Sequence, residues 1–526
     1  MQGKRWQGKR SGANPWRGAR RVIGSVAAVA VLLVPASAAL ARESTQPTLG
    51  AGPDASISKR QATRALQRVT ALAAGSSSTP SRELTIALRD LAIAVPSLKG
   101  SDRALAEALL ARPTDGAGDP QGDGYTAPVA DERSSCTANF CVHHVVSTGD
   151  APDLIDVSPA NGIPDFVDAV SVAAEASFTV ENTTLGWRAP VSDGAAGGDA
   201  RTDIYLKNIG SDGFFGYAAP DPGQGGRAQF AYLVIDNDYS PSEFPAYATP
   251  AVPMQVTVAH EYNHVLQFAY DTFQEAWLFE STATWMEEQV FPAINDYVDV
   301  FIPDFTKRPS IPLTDPNTNK IYGAAVWHHF LTKKFDASVS RETWAASTKS
   351  KPKGFGLGAF EVALKDRGSS VSRQFARFAP ATAEWNATSV FPDQYPDVKR
   401  AGKLKVGKKK RKTLDHTAYV LYDINVAKIA TQAGGNTLKL IVNAKGKARS
   451  GLALVGRSGD KTTGQVTTRA KFLNKGGRGS VKLKNFKKFD RITAVAVNAD
   501  ARAKDGGSDI TYKRDNVRYD SKLKTS

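Results

Sequence analysis

The chain has 526 residues, 41% hydrophobic and 23% charged, which excludes a disordered polymer and gives length enough for two to four domains around a sizeable core. Its formal charge of +15 conceals a division: residues 1–42 carry eight bases and no acid, residues 43–400 carry 29 bases against 43 acids, and residues 401–526 carry 30 bases against nine acids, all Asp. Only two cysteines are present, so a four-cysteine metal site is excluded.

The N-terminus reads as a targeting segment. Lys4, Arg5, Lys9, Arg10, Arg17, Arg20 and Arg21 precede the apolar run Val22–Val34, and "PASAALA" follows with small residues suited to cleavage after Ala38 or Ala41. This is the basic, apolar and A-x-A order of a secretory signal, so residues 1–41 are expected to be a signal peptide and the protein to be secreted, extracellular or wall-associated. An uncleaved anchor is the alternative. Arg20–Arg21 hints at twin-arginine export, but its flanks do not match. No later segment is apolar for long enough to span a bilayer.

Residues 42–125 are expected to hold three short helices, "SISKRQATRALQRVTALAA", "SRELTIALRDLAIAVP" and "SDRALAEALLARP", each opened by Ser and apolar at three- and four-residue intervals. A Pro/Gly/Asp linker, 113–128, follows. The segment reads equally as a pro-segment or as an ordinary helical subdomain.

Residues 126–400 change texture. Cys136 and Cys141 in "CTANFC" are close enough to form one disulfide in an exported protein. "FCVHHVVST", "RTDIYLKNI" and "AQFAYLVIDND" read as strands, and "IPDFVDAVSVAAEASFTVENTTLG" as a helix. Further helices are expected from near Pro253 to about Tyr270, from Ala276 to Gln289, and from Tyr322 onward. Strands followed by helices predict an α+β catalytic domain.

The basic run "KLKVGKKKRKT" (403–413) marks the boundary to residues 401–526. There "HTAYVLYDI", "NTLKLIVNA", "GSVKLKNF" and "RITAVAVNAD" alternate as half-buried strands do, predicting an all-β sandwich. Its charge suits an anionic cell-wall or polysaccharide surface, or serves solubility alone. The scarcity of aromatics on its strands argues against specific nucleic-acid binding.

"AHEYNHVLQFAYD" carries the sharpest chemical signal. His260, Glu261 and His264 spell H-E-x-x-H, and in a helix the two imidazoles share one face. Both can reach one zinc ion, with Glu261 placed as general base toward a metal-bound water. A catalytic zinc needs a third protein ligand. The H-E-x-x-H-x-x-G-x-x-H pattern fails, because Gln267 and Tyr270 stand at the glycine and third-histidine positions. Glu280, sixteen residues after His264 and on the next helix, is the preferred ligand. Asp271, Glu275 and Glu287 are the alternatives, with Glu287 also suited to supporting a ligand from behind. Glu288 is expected to face solvent.

"HEYNHVLQFAYD…WLFESTATWMEE" resembles the gluzincin zinc metallopeptidases, and more closely a group of secreted bacterial metalloproteases sharing H-E-x-x-H-x-x-Q and W-x-x-E-x-x-A-x-W-M-E. The resemblance runs from "VHHVVSTGD" to the helix at Tyr322, roughly half the chain. It implies a zincin-like domain, zinc on His260, His264 and Glu280, Glu261 as base, and a protein or peptide substrate. Two positions depart from gluzincin usage: Thr284 stands where an Asp is common, and Ser281 where Gly is common. A metallopeptidase-like protein without activity, binding surfaces through its basic C-terminal part, is the alternative.

Tyr322, His328 and His329 are candidate oxyanion donors, although "WHHF" also reads as a helix face with one packed and one exposed histidine. "FAYLVIDND" is the expected edge strand for an extended substrate. Asp156, Asn161, Asp165 and Asp168 could hold calcium or simply build an Asx-rich turn. His143 and His144 point to opposite sides of a strand and read as structural.

Overall fold

The computed structural model describes residues 57–73, 84–114, 124–125, 131–349, 353–388, 391–432, 434–446, 448–505 and 510–525. The expected signal peptide, 1–41, lies outside them, as does most of the linker at 113–128.

Three helices come first: α1 (Lys59–Ala73), α2 (Leu84–Ala94) and α3 (Gly100–Leu109). Strands β1 (Arg133–Cys136), β2 (Phe140–His144), β3 (Thr202–Lys207), β4 (Gly216–Pro220) and β5 (Ala231–Asp236) follow, with α4 (Asp165–Phe178) between β2 and β3. The chain then turns helical. α5 (Ala251–Asp271) and α6 (Ala276–Val290) carry the candidate ligands. Behind them come α7 (Asp296–Val300), α8 (Ile302–Lys307), α9 (Lys320–Gly323), α10 (Ala325–Lys334), α11 (Ser338–Ala346), α12 (Leu357–Asp366) and α13 (Val371–Ala381). Last are β6 (Lys409–Leu414), β7 (Ala418–Ile424), α14 (Val426–Gln432), β8 (Thr437–Ala444), β9 (Ser450–Ser458), β10 (Gln465–Phe472), β11 (Arg478–Lys484), β12 (Arg491–Asn498), β13 (Ala503–Asp505), β14 (Ile510–Tyr512) and β15 (Val517–Thr525). The protein is mixed α+β.

The first five strands form one sheet in the order β1-β2-β3-β5-β4. β2, β3 and β5 run parallel, while β1 and β4 are antiparallel at the two edges. Such strands are buried on both faces and therefore read as apolar runs. Phe140, Val142, Ile204, Leu206, Leu233 and Ile235 join the core shared with α4, α5 and α6. Tyr205, Tyr232 and Val234 point the other way, into a second core shared with α1, α2 and α3. The N-terminal helices are thus a layer of the fold rather than an appendage. Arg112 ties them in, because its buried guanidinium binds Asp193, Asp203 and Asp221.

β5 is not the edge strand expected from "FAYLVIDND". β4, too short and too rich in Gly and Pro for its period to show, pairs outside it. Gly216 permits this, since a Cβ there would lie 2.6 Å from the Thr257 methyl and 3.3 Å from Glu261 Cγ. The edge strand is thereby brought down onto α5.

The helix expected from Tyr322 is broken into α9 and α10. Gly323 packs against the Phe301 carbonyl, where a Cβ would sit 2.8 Å away. Cys136 and Cys141 form a disulfide and face each other in the β1–β2 register.

The C-terminal strands make two four-stranded sheets, β10-β9-β12-β7 and β11-β8-β15-β6. Leu438, Leu440, Leu483 and Leu523 of one meet Val420, Leu454, Ile492 and Ala496 of the other in a common interior, which is the expected sandwich. The basic run at 403–413 is not only a boundary, because Lys409–Leu414 is edge strand β6. Tyr419, Ala453, Val455, Val495 and Val497 turn outward into the core of the helices, so no solvent gap separates sandwich and helices. Residues Gln46–Ser526 form one compact unit. Among the described residues no helix is long and apolar enough to cross a membrane.

Candidate metal centre

α5 and α6 are buried on nearly every side, so neither shows the one-sided stripe of a surface helix. α5 accepts Pro253 in its first turn, where the missing N–H costs nothing. It ends at Asp271, whose carboxylate accepts from Phe273 N–H at 3.1 Å and is paired with Arg227 at 2.9 Å. The short connection sends α6 back along α5.

This hairpin brings His260, His264 and Glu280 together, with one potential ligand atom from each lying within 4.8 Å of the others. His260 Nε2 is 3.2 Å and His264 Nε2 3.7 Å from the same Glu280 oxygen, Oε2. The residues are 0%, 0% and 1% exposed. Of the alternatives, Asp271 is held by Arg227, and Glu275 accepts from Tyr512 Oη at 2.8 Å and Trp277 Nε1 at 3.2 Å.

The outer nitrogens of both imidazoles are engaged. His260 Nδ1 lies 2.6 Å from Glu287 Oε1. His264 Nδ1 lies 2.8 Å from Gln267 Oε1. Gln267 Nε2 donates to Asn263 Oδ1 at 2.6 Å and to the Phe279 carbonyl at 3.1 Å, so its Oε1 is left to accept. Asn263 Nδ2 in turn donates to Glu181 Oε2 at 2.8 Å. This relay puts the His264 proton on Nδ1, and Glu287 does the same for His260. Both Nε2 lone pairs are then aimed inward.

Without a metal, the carboxylates on both sides of His260 favour a proton where the cation would sit. Burial alone lowers a histidine pKa, but the hydrogen bonds from His260 to Glu280 and Glu287 outweigh it and hold this ring above its ordinary value. Burial pushes Glu280 up, and His264 and His260 together pull it below the usual carboxylate range. Glu181 is raised by burial. His264 Nε2, Glu280 Oε1 and Glu261 Oε1 are buried without a hydrogen-bond partner. Orphaned polar atoms are costly in a dry interior, and a cation among them removes that cost. A two-His, one-carboxylate donor set fits zinc.

Glu261 is also fully buried, and its Oε2 accepts from Thr85 Oγ1 of α2 at 2.8 Å. Thr85 Oγ1 accepts in turn from Ala218 N–H on β4 at 3.0 Å. The Tyr322 ring centroid lies 6.3 Å from that of His260.

Two expectations are corrected. Glu288 is not solvent-facing: it is 7% exposed, and burial beside Glu287, Asp393 and Asp296 raises it to about 9. His329 is not exposed, because α10 is buried on both sides, leaving His328 at 0% and His329 at 5%. His328 is bonded away from the centre, to Ser340 at 2.8 Å and Ser281 at 3.3 Å.

The acidic turn uses its own side chains. Asp156 accepts from Asn161 and Gly162 N–H, Asp165 from Val157 and Ser158 N–H, and Asp168 from the Asn161 amide. Those bonds tie the four residues into an Asx-rich turn. His143 and His144 do diverge, His143 binding Glu132 and Asp203 on the sheet face that carries Tyr205.

Gln267, Asn263, Glu181 and Thr85 were not singled out as site residues. Gln267 had a signal, standing three residues after His264 in H-x-x-Q. Glu181 and Thr85 reach the site from distant segments and had none.

A family model described as a family of unknown function, DUF6055, matches residues 118–471. The match begins beyond α3, takes in the whole sheet and the α5–α6 hairpin, and ends in β10. No curated protein matches the chain. With about two thirds of its length matched, the chain belongs to the DUF6055 family.

Proposed function

We propose that the protein is a zinc-dependent endopeptidase with a zincin-like domain, His260, His264 and Glu280 being the metal ligands and Glu261 the general base. The observation that carries this reading is the convergence of three ligand atoms within 4.8 Å, with both imidazoles tied from behind. Zinc held there would lower the pKa of a bound water and polarise a scissile carbonyl. Glu261 accepts the water's proton on the oxygen that has no other partner and returns it to the leaving amine. Glu287 and Gln267 fix the ring planes. Tyr322 is the oxyanion donor best placed near the centre, since His328 is committed to Ser340. A purely structural zinc has no use for a base, and Glu261 is one. Secretion follows from the N-terminal pattern, and the disulfide suits an oxidising compartment.

The test is zinc content of the full chain beside Glu280→Ala and Glu261→Gln. One zinc per chain, lost in the first variant and kept in the second, with turnover of a protein substrate reduced by about 10²-fold or more in the second, is the expected outcome. A well-folded chain that takes up no zinc overturns the reading.

One observation favours a surface-binding role, either beside catalysis or instead of it. Lys482 on β11 and Lys524 on β15 both stand directly opposite Lys439 on β8. Like charges across a sheet are destabilising, so this row is better explained by an anionic wall or polysaccharide than by stability. Loss of retention on an anionic matrix when these three are changed to Gln supports it, and full retention removes it.

A further inference from the structure

The candidate centre is closed, and a peptide cannot reach ligands that are 0–1% exposed. The element that closes it can be named. α2 has ten of its eleven residues buried, including Arg89 at 0% and Asp90 at 5%. A helix buried on all sides occupies a space that other elements enclose. That space is bounded by edge strand β4, by Glu261 of α5, and by the start of α6. Thr85 bridges the first two, through Ala218 N–H and Glu261. Arg89 reaches the third, donating to the Gln274 carbonyl at 2.7 Å and lying 4.9 Å over the Phe279 ring, next to Glu280.

An extended peptide adds to a sheet edge through main-chain hydrogen bonds. β4 is that edge, and a side chain of α2 already occupies its Ala218 N–H. The family match begins at residue 118, so the whole of α2 lies outside it, while β4, α5 and α6 lie within.

We propose that the groove filled by α2 is the substrate cleft, that its ligand is an extended peptide pairing with β4, and that residues 57–112 are a built-in plug which must leave before hydrolysis. This rests on the zinc-peptidase reading. The plug is held by more than α2, because Arg112 binds three buried aspartates and α1–α3 share an apolar core with Tyr205, Tyr232 and Val234 of the sheet, so a cut alone will not eject it.

The experiment places a site-specific protease sequence within residues 115–123 of the full chain. The zinc-loaded protein is cut, and the released segment is separated in mild urea. Casein hydrolysis and zinc content are measured before and after. The expected result is a zinc-retaining fragment at least about tenfold faster than the intact chain, and slowed again by adding the segment back in excess, since the free segment lacks the high effective concentration that the tether gave it. A fragment that keeps its zinc with no gain in rate overturns the plug while leaving the metal reading intact. Absence of zinc in both forms overturns both.

Should the fragment precipitate, Thr85→Val in the intact chain decides. It keeps helix and volume but releases both Glu261 and Ala218 N–H. A chelator is then expected to strip zinc severalfold faster than from wild type. An unchanged rate overturns the proposal.

Discussion

His260 and His264 on α5, and His328 and His329 on α10, are all at most 5% exposed, yet their surroundings differ in kind. The α5 pair faces Glu280 and is backed by Glu287 and Gln267. The α10 pair meets hydroxyls and rings: His328 binds Ser340 and Ser281 and stacks on Trp285, and His329 lies against Tyr297. With no carboxylate bonded to it, burial lowers each of the α10 rings to about 3, so both are neutral. Carboxylates reverse that sign at His260. Burial does not distinguish a ligand from a packing residue. The company each ring keeps does.

The most disruptive test of this contrast is Glu280→Ala in metal-free protein. Breaking a buried charge pair by removing one partner costs about 3–5 kcal/mol, and Glu287, which stays 2.6 Å from His260 Nδ1, keeps this loss toward the lower end. His328→Asn removes a neutral ring with hydroxyl partners and should cost less, about 1–3 kcal/mol. Urea unfolding of the two variants checks the order. Equal losses would mean that the α5 pair is packing too.

A smaller effect separates support from ligation. Glu287→Gln keeps the shape but weakens the acceptor behind His260, and such outer-shell changes lower metal affinity about 10–100-fold. Competition with a zinc-binding dye reads it. Gln267→Leu should fall in the same range, since it cuts the relay to Glu181. Neither change should abolish binding, and abolition would promote the residue to a ligand.

The sequence made one side of the comparison legible and hid the other. H-E-x-x-H declares itself because helix geometry alone stacks i and i+4, and Glu280 could be placed because a four-residue connection forces α6 back along α5. The strands of the parallel sheet were legible because each carries a short run of apolar and aromatic residues, such as Ile204–Leu206 and Ala231–Ile235. β4 was not, since Gly216–Pro220 reads as a turn and becomes a strand only by pairing with β5. Thr85 and Glu181 meet the centre across 176 and 82 residues of chain, through contacts that no local period encodes. The exposure of His329 and Glu288 was misjudged for one reason: short helices stacked on all sides lose the polar face that a surface helix keeps.

Acid should also divide the two pairs. A group whose folded pKa is depressed contributes stability above its unfolded value, and that stability is lost as pH falls. For His328 and His329 the window runs from about 6.5 down to about 3, at about 1.4 kcal/mol per pH unit for each ring. His328→Asn should remove about half of that slope in urea titrations between pH 4 and 6.

His143 supplies a third environment and the smallest effect. It is buried on β2, with Asp203 and Glu132 each 2.8 Å from a ring nitrogen and Tyr205 stacked at 4.6 Å. Burial pulls its pKa down, but the hydrogen bonds to Asp203 and Glu132 outweigh that and raise it. A raised folded pKa gives stability that is complete below the ordinary histidine value and lost as pH climbs through the raised one. The sign is opposite to that of the α10 pair. His143→Gln should therefore flatten the alkaline limb of the stability profile and leave the acid limb as it was, while His328→Asn does the reverse. If both limbs move together in either variant, the carboxylates beside His143 are not what sets its charge, and the rule drawn from α5 and α10 fails where the metal plays no part.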